Sequence, residues 1–264
     1  MDKIKLRERI WIWGHPENTL YSAVKRVSAV TPVQGLSYIG ATNVFFNDYI
    51  KHFDMVLEGE HAKDVPKVGW ALDFAATKPE NTESIIRQKK LYDNTCIAIF
   101  DDFFAPSNPS NNYTLYTPEL VLQIKEQLHG AGLELWVVLY TENFRQLDKE
   151  VIDTFLPLFD GVSLWFWQEE EIDDYDNHIA KFLALTEGQK RMIGCYVYDF
   201  GGNKESTSSV VLTQLNKGRE LLHSGAIEGL IVHSNIAFGL NPPSPAVEDC
   251  KAWLAVHGDE ELHL

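Results

Sequence analysis

The chain has 264 residues, of which 45% are hydrophobic, 12% aromatic and 23% charged. This composition is typical of a folded globular protein and excludes a disordered one. Lys and Arg number 23 against 38 Asp and Glu, and the formal charge of −15 repels nucleic-acid phosphates and anionic lipid surfaces. We therefore expect no nucleic-acid and no membrane partner. The 7 Trp, 10 Tyr and 14 Phe favour a neutral small-molecule or oligosaccharide ligand, because aromatic rings offer flat apolar faces.

The cysteine and histidine patterns predict neither a disulfide framework nor a metal. Cys96, Cys195 and Cys250 are few and widely spaced, so we expect buried thiols. CxxC, CxxH and HExxH motifs are missing, and we predict no cofactor. The sequence holds no apolar run of about 18 residues and no apolar signal core near its charged start. The expected location is the cytoplasm, or the periplasm or exterior if a signal peptide has been removed.

Short runs rich in apolar, β-branched or aromatic residues recur along the chain, each followed by a polar loop and a stretch of helical periodicity. The predicted strands are Arg9–Gly14, Ala41–Phe46, Val68–Phe74, Cys96–Phe100, Leu135–Tyr140, Gly161–Trp167, Met192–Tyr198 and Gly229–Ser234. The predicted helices are Thr31–Gly40, the region around Asp48–Leu57, Thr82–Tyr92, Pro118–Leu128, Leu147–Phe159, Asp173–Glu187, Ser208–Ser224 and Pro245–His257. Thr31, Thr117 and Ser244 each precede a proline and are predicted N-caps.

Repeated βα units in a chain of this length match an α/β fold of the (β/α)8 or TIM-barrel type. An open doubly wound sheet is the alternative, but the first strand lacks a GxGxxG turn and no P-loop motif occurs. No composition break or linker interrupts the sequence, so we predict one domain over residues 1–264. Closure of the barrel requires the first strand, RIWIWG, and the last, GLIVHS, to be parallel neighbours.

In such a barrel the C-terminal ends of the strands surround one mouth, where the active site lies. The substrate-binding candidates at these ends are Trp13, His15, Asp73, Tyr140, Glu142, Trp167, Tyr198, Asp199, His233 and Asn235. Carboxylates and amides hydrogen-bond to hydroxyl groups, and rings pack on the apolar faces of sugars. A mouth rich in such groups therefore predicts a neutral polyhydroxylated ligand.

Two adjacent acids, Asp101 and Asp102, follow a buried strand and precede Phe103 and Phe104. Two carboxyls held close in a partly apolar setting repel each other's charge and lose hydration, so one keeps its proton near neutral pH and can act as a general acid. We predict that both are catalytic. Neighbours on an extended strand point to opposite sides, so we also predict a bend after this strand. The alternative is that one Asp caps the loop and the other is surface charge.

The stretch IAIFDDFF, with its Asp pair at the end of the fourth predicted strand, resembles the paired-Asp motif of glycoside hydrolases that use substrate assistance. These include the O-GlcNAc hydrolases and related bacterial hexosaminidases. The resemblance covers these residues and the repeated βα pattern of the predicted barrel. It implies that Asp101 orients and polarises the 2-acetamido group of the substrate, whose carbonyl oxygen attacks the anomeric carbon. It implies that Asp102 is the general acid/base.

The mouth also permits a general two-carboxylate mechanism, in which Glu142, Asp199 or Asp73 would be the partner of Asp102. The glycine-containing loop after the seventh strand could instead bind phosphate through backbone amides. The acids at 169–174 are interpreted as a solvated helix start. His15 and His233 are interpreted as hydrogen-bonding residues and not as metal ligands.

Tryptophans two residues apart lie on the same side of a strand, as in WIW of the first predicted strand and WFW of the sixth. Trp13 and Trp167 are nearest the C-terminal ends and are candidates for a sugar platform, with core packing as the alternative. We expect both, together with Tyr140 and Tyr198, to expose ring surface toward one cavity. The leading interpretation is a retaining-type glycoside hydrolase acting on a neutral or N-acetylated sugar. The alternatives are a non-catalytic carbohydrate-binding barrel and a lyase or isomerase.

Overall fold

The structure is a computed structural model that describes residues 3–19, 25–47, 53–72, 79–105 and 112–263. It contains a closed barrel of eight parallel strands that follow one another in chain order. The barrel strands are β1 Ile10–Gly14, β2 Asn43–Phe46, β3 Val68–Leu72, β4 Thr95–Phe100, β5 Glu134–Tyr140, β6 Gly161–Trp165, β7 Lys190–Tyr196 and β8 Gly229–His233. The predicted barrel fold is confirmed.

The first and last barrel strands close the sheet. β8 pairs in parallel with β1, so that Leu230 lies beside Ile10 and His233 beside Trp13. β8 also pairs with β7 on its other side. An open sheet would leave either strand at an edge, so this pairing excludes the doubly wound alternative.

Helices follow the barrel strands. They are α1 Pro32–Ile39, α2 Met55–His61, α3 Pro79–Leu91, α4 Pro118–Gly130, α5 Lys149–Phe155, α6 Tyr175–Leu185, α7 Ser208–His223 and α8 Pro245–His257, with one further turn at Asn143–Gln146. Short 3-10 helices span Leu6–Arg9, Tyr113–Leu115, Leu156–Leu158, Glu169–Asp174 and Asn235–Ala237. Short antiparallel pairs join Ile4–Lys5 to Glu261–Leu262 and Tyr198–Asp199 to Lys204–Glu205.

Two of the three predicted N-caps form. The hydroxyl of Thr31 accepts a hydrogen bond from the Gln34 N–H in a capping box, and Thr117 accepts one from the Leu120 N–H. Ser244 makes no side-chain cap, and its buried hydroxyl has no partner among the described residues. The Ser244 cap prediction is wrong, although α8 begins and ends where predicted.

The apolar residues form two separate layers. One fills the space between strands and helices, and the other fills the lumen of the barrel. The lumen layer consists of Trp11, Trp13, Phe45, Ile97, Ile99, Trp136, Val138, Tyr140, Trp165, Met192, Tyr196 and Ile231. Large rings fit there because glycines face them: a Cβ on Gly194 would stand 2.0 Å from the Trp165 ring, and one on Gly161 2.3 Å from Trp136. The lumen is therefore a packed core on which the mouth residues rest.

Candidate active site

The carboxyl pair lies where the chain leaves β4. Asp101 would be the next inward residue, since Ile97 and Ile99 face the lumen. The chain bends at this point. Asp102 has φ of +55°, in the left-handed region that Asp and Asn enter more readily than most residues. The predicted bend is confirmed.

Both carboxylates accept hydrogen bonds from the ends of other barrel strands. Asn47, after β2, donates from Nδ2 to Oδ2 of Asp101 at 2.6 Å. Tyr140, the last residue of β5, donates its hydroxyl to Oδ1 of Asp102 at 2.9 Å. Asn47 and Tyr140 stand on either side of β4 in the barrel order. The bend therefore turns the two acids toward opposite flanks of one mouth.

The two carboxyls titrate as a coupled pair. Burial, and next the charge of Asp102, raise the pKa of Asp101 from its ordinary value to about 8. Hydrogen bonds from Asn47 and Tyr140 lower it but are outweighed. The charges of both acids also help to raise the pKa of the Tyr140 and Tyr196 phenols, for which burial is the main cause. Asp101 is therefore the carboxyl of the pair that favours its protonated form near neutral pH in the ligand-free protein.

Tyr196, the last residue of β7, is a mouth residue that the sequence reasoning missed. Its ring lies 5.0 Å from that of His233, 5.3 Å from that of Phe200 and 6.4 Å from that of Trp167, between centroids. Inward residues on β7 alternate from Gly194 to Tyr196. β7 ends at Tyr196 and the chain bends at Val197, so Tyr196 is the last inward residue of this strand and Tyr198 is not on it.

Only one of the four predicted platform rings is more than slightly exposed. Trp167 is partly exposed, edge-on to Tyr140 and stacked on Phe200. Trp13 is 3% exposed and packs in the lumen, and Tyr198 is 4% exposed and belongs to the outer layer. The expectation that these two rings expose surface toward a cavity is wrong, because Trp13 packs among the lumen rings and the chain bends at Val197, after β7, which places Tyr198 in the outer layer. Tyr140 is also buried and contributes its hydroxyl.

His15 and His233 are partners of one another. Their Nε2 atoms are 3.2 Å apart, and Nδ1 of His15 lies 3.0 Å from the backbone carbonyl oxygen of Asn47. Asn235 holds the backbone of His15 in place. Its Oδ1 accepts a hydrogen bond from the backbone N–H of His15 at 2.8 Å, and its Nδ2 donates to the backbone carbonyls of His15 and Val30. Asn235 is fully buried and engaged with backbone, so the prediction that it contacts substrate is wrong.

Glu142 is the other carboxyl near the pair. It is partly buried and accepts a hydrogen bond from Gln146. Burial, and next the charges of Glu171 and Asp102, raise its pKa. Glu171 is itself buried and accepts from Thr141 at 2.6 Å and from Arg145 at 3.1 Å. The interpretation of this acidic turn as solvated is therefore wrong for Glu171, which braces the loop after β5.

Asp199 does not offer its carboxylate to the mouth. It is 2% exposed, and its Oδ1 accepts from the Gly202 N–H at 2.7 Å. Lys204 lies 3.8 Å from its other oxygen. The carboxylate thus occupies one backbone amide of the glycine-containing loop after β7, the predicted alternative phosphate site. The Lys204 ammonium partly offsets the charge of Asp199. Binding of substrate by Asp199 stays a prediction, and Asp73 lies outside the described residues.

Within the described ranges, no group of three or more His, Cys, Asp or Glu side chains is arranged to hold a metal ion. None of the helices described above is long and apolar enough to cross a membrane. Cys195 and Cys250 are buried free thiols, as predicted, and Cys96 is a partly buried one.

No protein-family model matches the sequence, and no curated protein matches it. Among solved structures the chain is similar to the spore cortex-lytic enzyme SleL of Bacillus megaterium QM B1551, with a TM-score of 0.57 and 9% identity over 97% of this chain and 75% of that one. It is also similar to a mutant tryptophan synthase α-subunit from Pyrococcus furiosus, with a TM-score of 0.53 and 11% identity over 94% of this chain and 97% of that one. Likenesses at this level of identity establish the barrel fold.

Proposed function

We propose that the protein is a retaining-type glycoside hydrolase that cleaves a neutral or N-acetylated sugar at the mouth of the barrel. The observation that carries the proposal is the adjacent carboxyl pair, which the bend at Asp102 turns toward one mouth and in which burial and the neighbouring charge raise the pKa of Asp101 to about 8. Solvated loop acids have no cause for such a raised pKa, whereas a general acid requires one. The proposal rests on this site, because the structural likenesses bear on the fold alone.

Asp101 is suited to hold a 2-acetamido group. Its carboxylate accepts a hydrogen bond from Asn47, which orients it at the mouth, and a carboxylate accepts several hydrogen bonds at once, so it can also bind the N–H of an acetamide. A hydrogen bond to the charged form lowers the pKa of a carboxyl. Binding of the acetamido group therefore favours ionised Asp101, and the proton of Asp101 moves to Asp102. The oriented acetamido carbonyl oxygen then attacks the anomeric carbon.

Asp102 is suited to act as the acid/base. Asp102 gives the proton received from Asp101 to the leaving glycosidic oxygen. Afterwards Asp102 takes a proton from the water that opens the cyclised intermediate. Tyr140 donates to Oδ1 of Asp102 and thereby holds the carboxyl in one orientation. Trp167, partly exposed beside Tyr140, supplies an apolar face for the sugar ring.

The test compares 4-nitrophenyl glycosides, of both anomers, that carry a 2-acetamido or a 2-hydroxy group. The wild type should hydrolyse a 2-acetamido substrate faster, and Asp101→Asn should lower kcat/KM for that substrate by about 10²-fold or more while abolishing the preference. Asp64→Asn is the matched control, because Asp64 is exposed on a loop after α2. A wild type that binds these sugars by calorimetry but releases no nitrophenol would overturn the hydrolase in favour of the non-catalytic carbohydrate-binding barrel.

A further inference from the structure

The hydrogen bonds around His15 determine which of its ring nitrogens carries a proton. A backbone carbonyl oxygen can only accept, so Nδ1 of His15, 3.0 Å from the Asn47 carbonyl, must donate. Burial lowers the pKa of His15 to about 4, so the ring is neutral at pH 7 and holds one proton. Nε2 of His15 is therefore an acceptor.

The same reasoning extends one residue further. Nε2 of His233 lies 3.2 Å from the Nε2 of His15, and since the latter accepts, the former must donate. Burial, and next the neighbouring His15, hold the pKa of His233 well below its ordinary value. His233 is therefore also neutral, its one proton sits on Nε2, and its Nδ1 carries a bare lone pair.

This Nδ1 has no hydrogen-bond partner among the described residues. His233 is 8% exposed and stands at the mouth end of β8, with its ring 4.9 Å from that of Phe200 and 5.0 Å from that of Tyr196. A buried acceptor without a donor is unfavourable and is uncommon in folded proteins. We take the missing donor to be a ligand group, because His233 is the last residue of β8 and lies at the mouth end of the barrel.

We propose that His233 is a substrate-positioning residue whose Nδ1 accepts a hydrogen bond from an O–H or N–H group of the ligand at the mouth. The Asn47 carbonyl and His15 fix this polarity, that is, which ring nitrogen of His233 donates and which accepts. The identification of the donor as a sugar hydroxyl rests on the proposed function. Asn47 also donates to Asp101, so a single residue orients both the carboxyl pair and the histidine pair. The site selects hydrogen-bond donors at this position, because a ligand acceptor would face the bare lone pair.

The polarity is tested without any substrate. Long-range 1H–15N correlation spectra of protein with 15N-labelled histidine report which ring nitrogens are protonated. Between pH 6 and 8 we expect His15 protonated on Nδ1 and His233 on Nε2, and we expect His15→Phe to release His233 into a mixture of tautomers. A proton on Nδ1 of His233, or a doubly protonated ring, would overturn the proposal.

The donor is tested with the 4-nitrophenyl 2-acetamido-2-deoxyglucoside that the wild type hydrolyses and its 3-, 4- and 6-deoxy analogues. One deoxygenation should lower wild-type kcat/KM by about 10-fold but leave His233→Phe unaffected, while the control His263→Phe, at an exposed position, behaves like wild type. Equal losses in wild type and His233→Phe for every analogue would refute the contact. Absence of hydrolysis by the wild type would overturn the proposed function and the sugar hydroxyl as donor, whereas the tautomer spectra decide the polarity independently.

Discussion

Replacement of Gly194 by alanine tests whether the packed lumen supports the mouth. A Cβ at this position of β7 would lie 2.0 Å from Cε3 and 2.1 Å from Cδ2 of Trp165, so the indole would have to move. Trp165 is 2% exposed, its ring contacts those of Trp13, Tyr196 and His233, and its Nε1 donates to Ser163 at 3.0 Å. A displaced Trp165 ring would therefore press against these neighbours.

The expected loss of stability follows from these contacts. Overpacking of a tight core costs about 1–3 kcal/mol, and a weakened buried hydrogen bond adds about 1 kcal/mol. A total of about 3 kcal/mol lowers Tm by roughly 6–12 °C in a protein of this size.

The assay is thermal unfolding followed by circular dichroism, with Gly130→Ala as the control. Gly130 is the exposed last residue of α4, and a Cβ there meets no atom within 4 Å. Since alanine is the better helix former, this control should be neutral or slightly stabilising. A Gly194→Ala protein that melts within about 2 °C of wild type would refute the account of a filled lumen.

Three further measurements probe the electrostatics and the helix ends. Because the pKa of Asp101 is raised on folding, its stabilising contribution is complete at low pH and is lost as the pH rises from the unfolded pKa toward about 8. The Tm of the wild type should therefore fall more between pH 5 and 9 than the Tm of Asp101→Asn. Equal falls would contradict the raised pKa. Glu171→Gln should destabilise by about 1–3 kcal/mol in chemical denaturation, whereas Glu170→Gln, on the exposed side of the same turn, should be neutral; equal effects would refute the brace. Thr117→Ala should remove a cap worth about 1 kcal/mol and lower Tm, while Ser244→Ala, which removes a hydroxyl without a partner among the described residues, should not; the reverse order would refute this assignment of the caps.

The barrel could be predicted because each unit carries local signals. A buried apolar run predicts a strand, and helical periodicity after a capping residue predicts a helix; Pro245–His257 was predicted with its observed bounds. The bend at Asp102 also followed from a local argument, since two adjacent acids cannot face one mouth from an extended strand.

The parts of the site that the sequence predicts wrongly depend on where a strand ends and on long-range contacts. Tyr198 ends the predicted strand, but the barrel strand ends at Tyr196 and the chain bends at Val197, so an alternating pattern that is continued past Tyr196 places Tyr198 on the wrong side. Glu171 looked solvated because its partner Thr141 lies 30 positions away. No local pattern links His15 to His233, 218 positions apart. Barrel closure brings β1 and β8 together, so that pair could have been inferred from the predicted register.

The most direct test of the central claim is the dependence of Asp102→Asn activity on the leaving group. Asparagine is tolerated at the φ of +55° found at Asp102, so the fold should be retained, and the lost group is the proton donor. For a 2-acetamido glycoside with an alkyl leaving group, kcat/KM should fall by about 10²–10⁴-fold. The 4-nitrophenyl glycoside should lose much less, because its leaving group needs no protonation. If Asp102→Asn kept full activity on the alkyl glycoside, or lost both substrates equally, Asp102 would not be the general acid and the carboxyl pair would not be the catalytic centre.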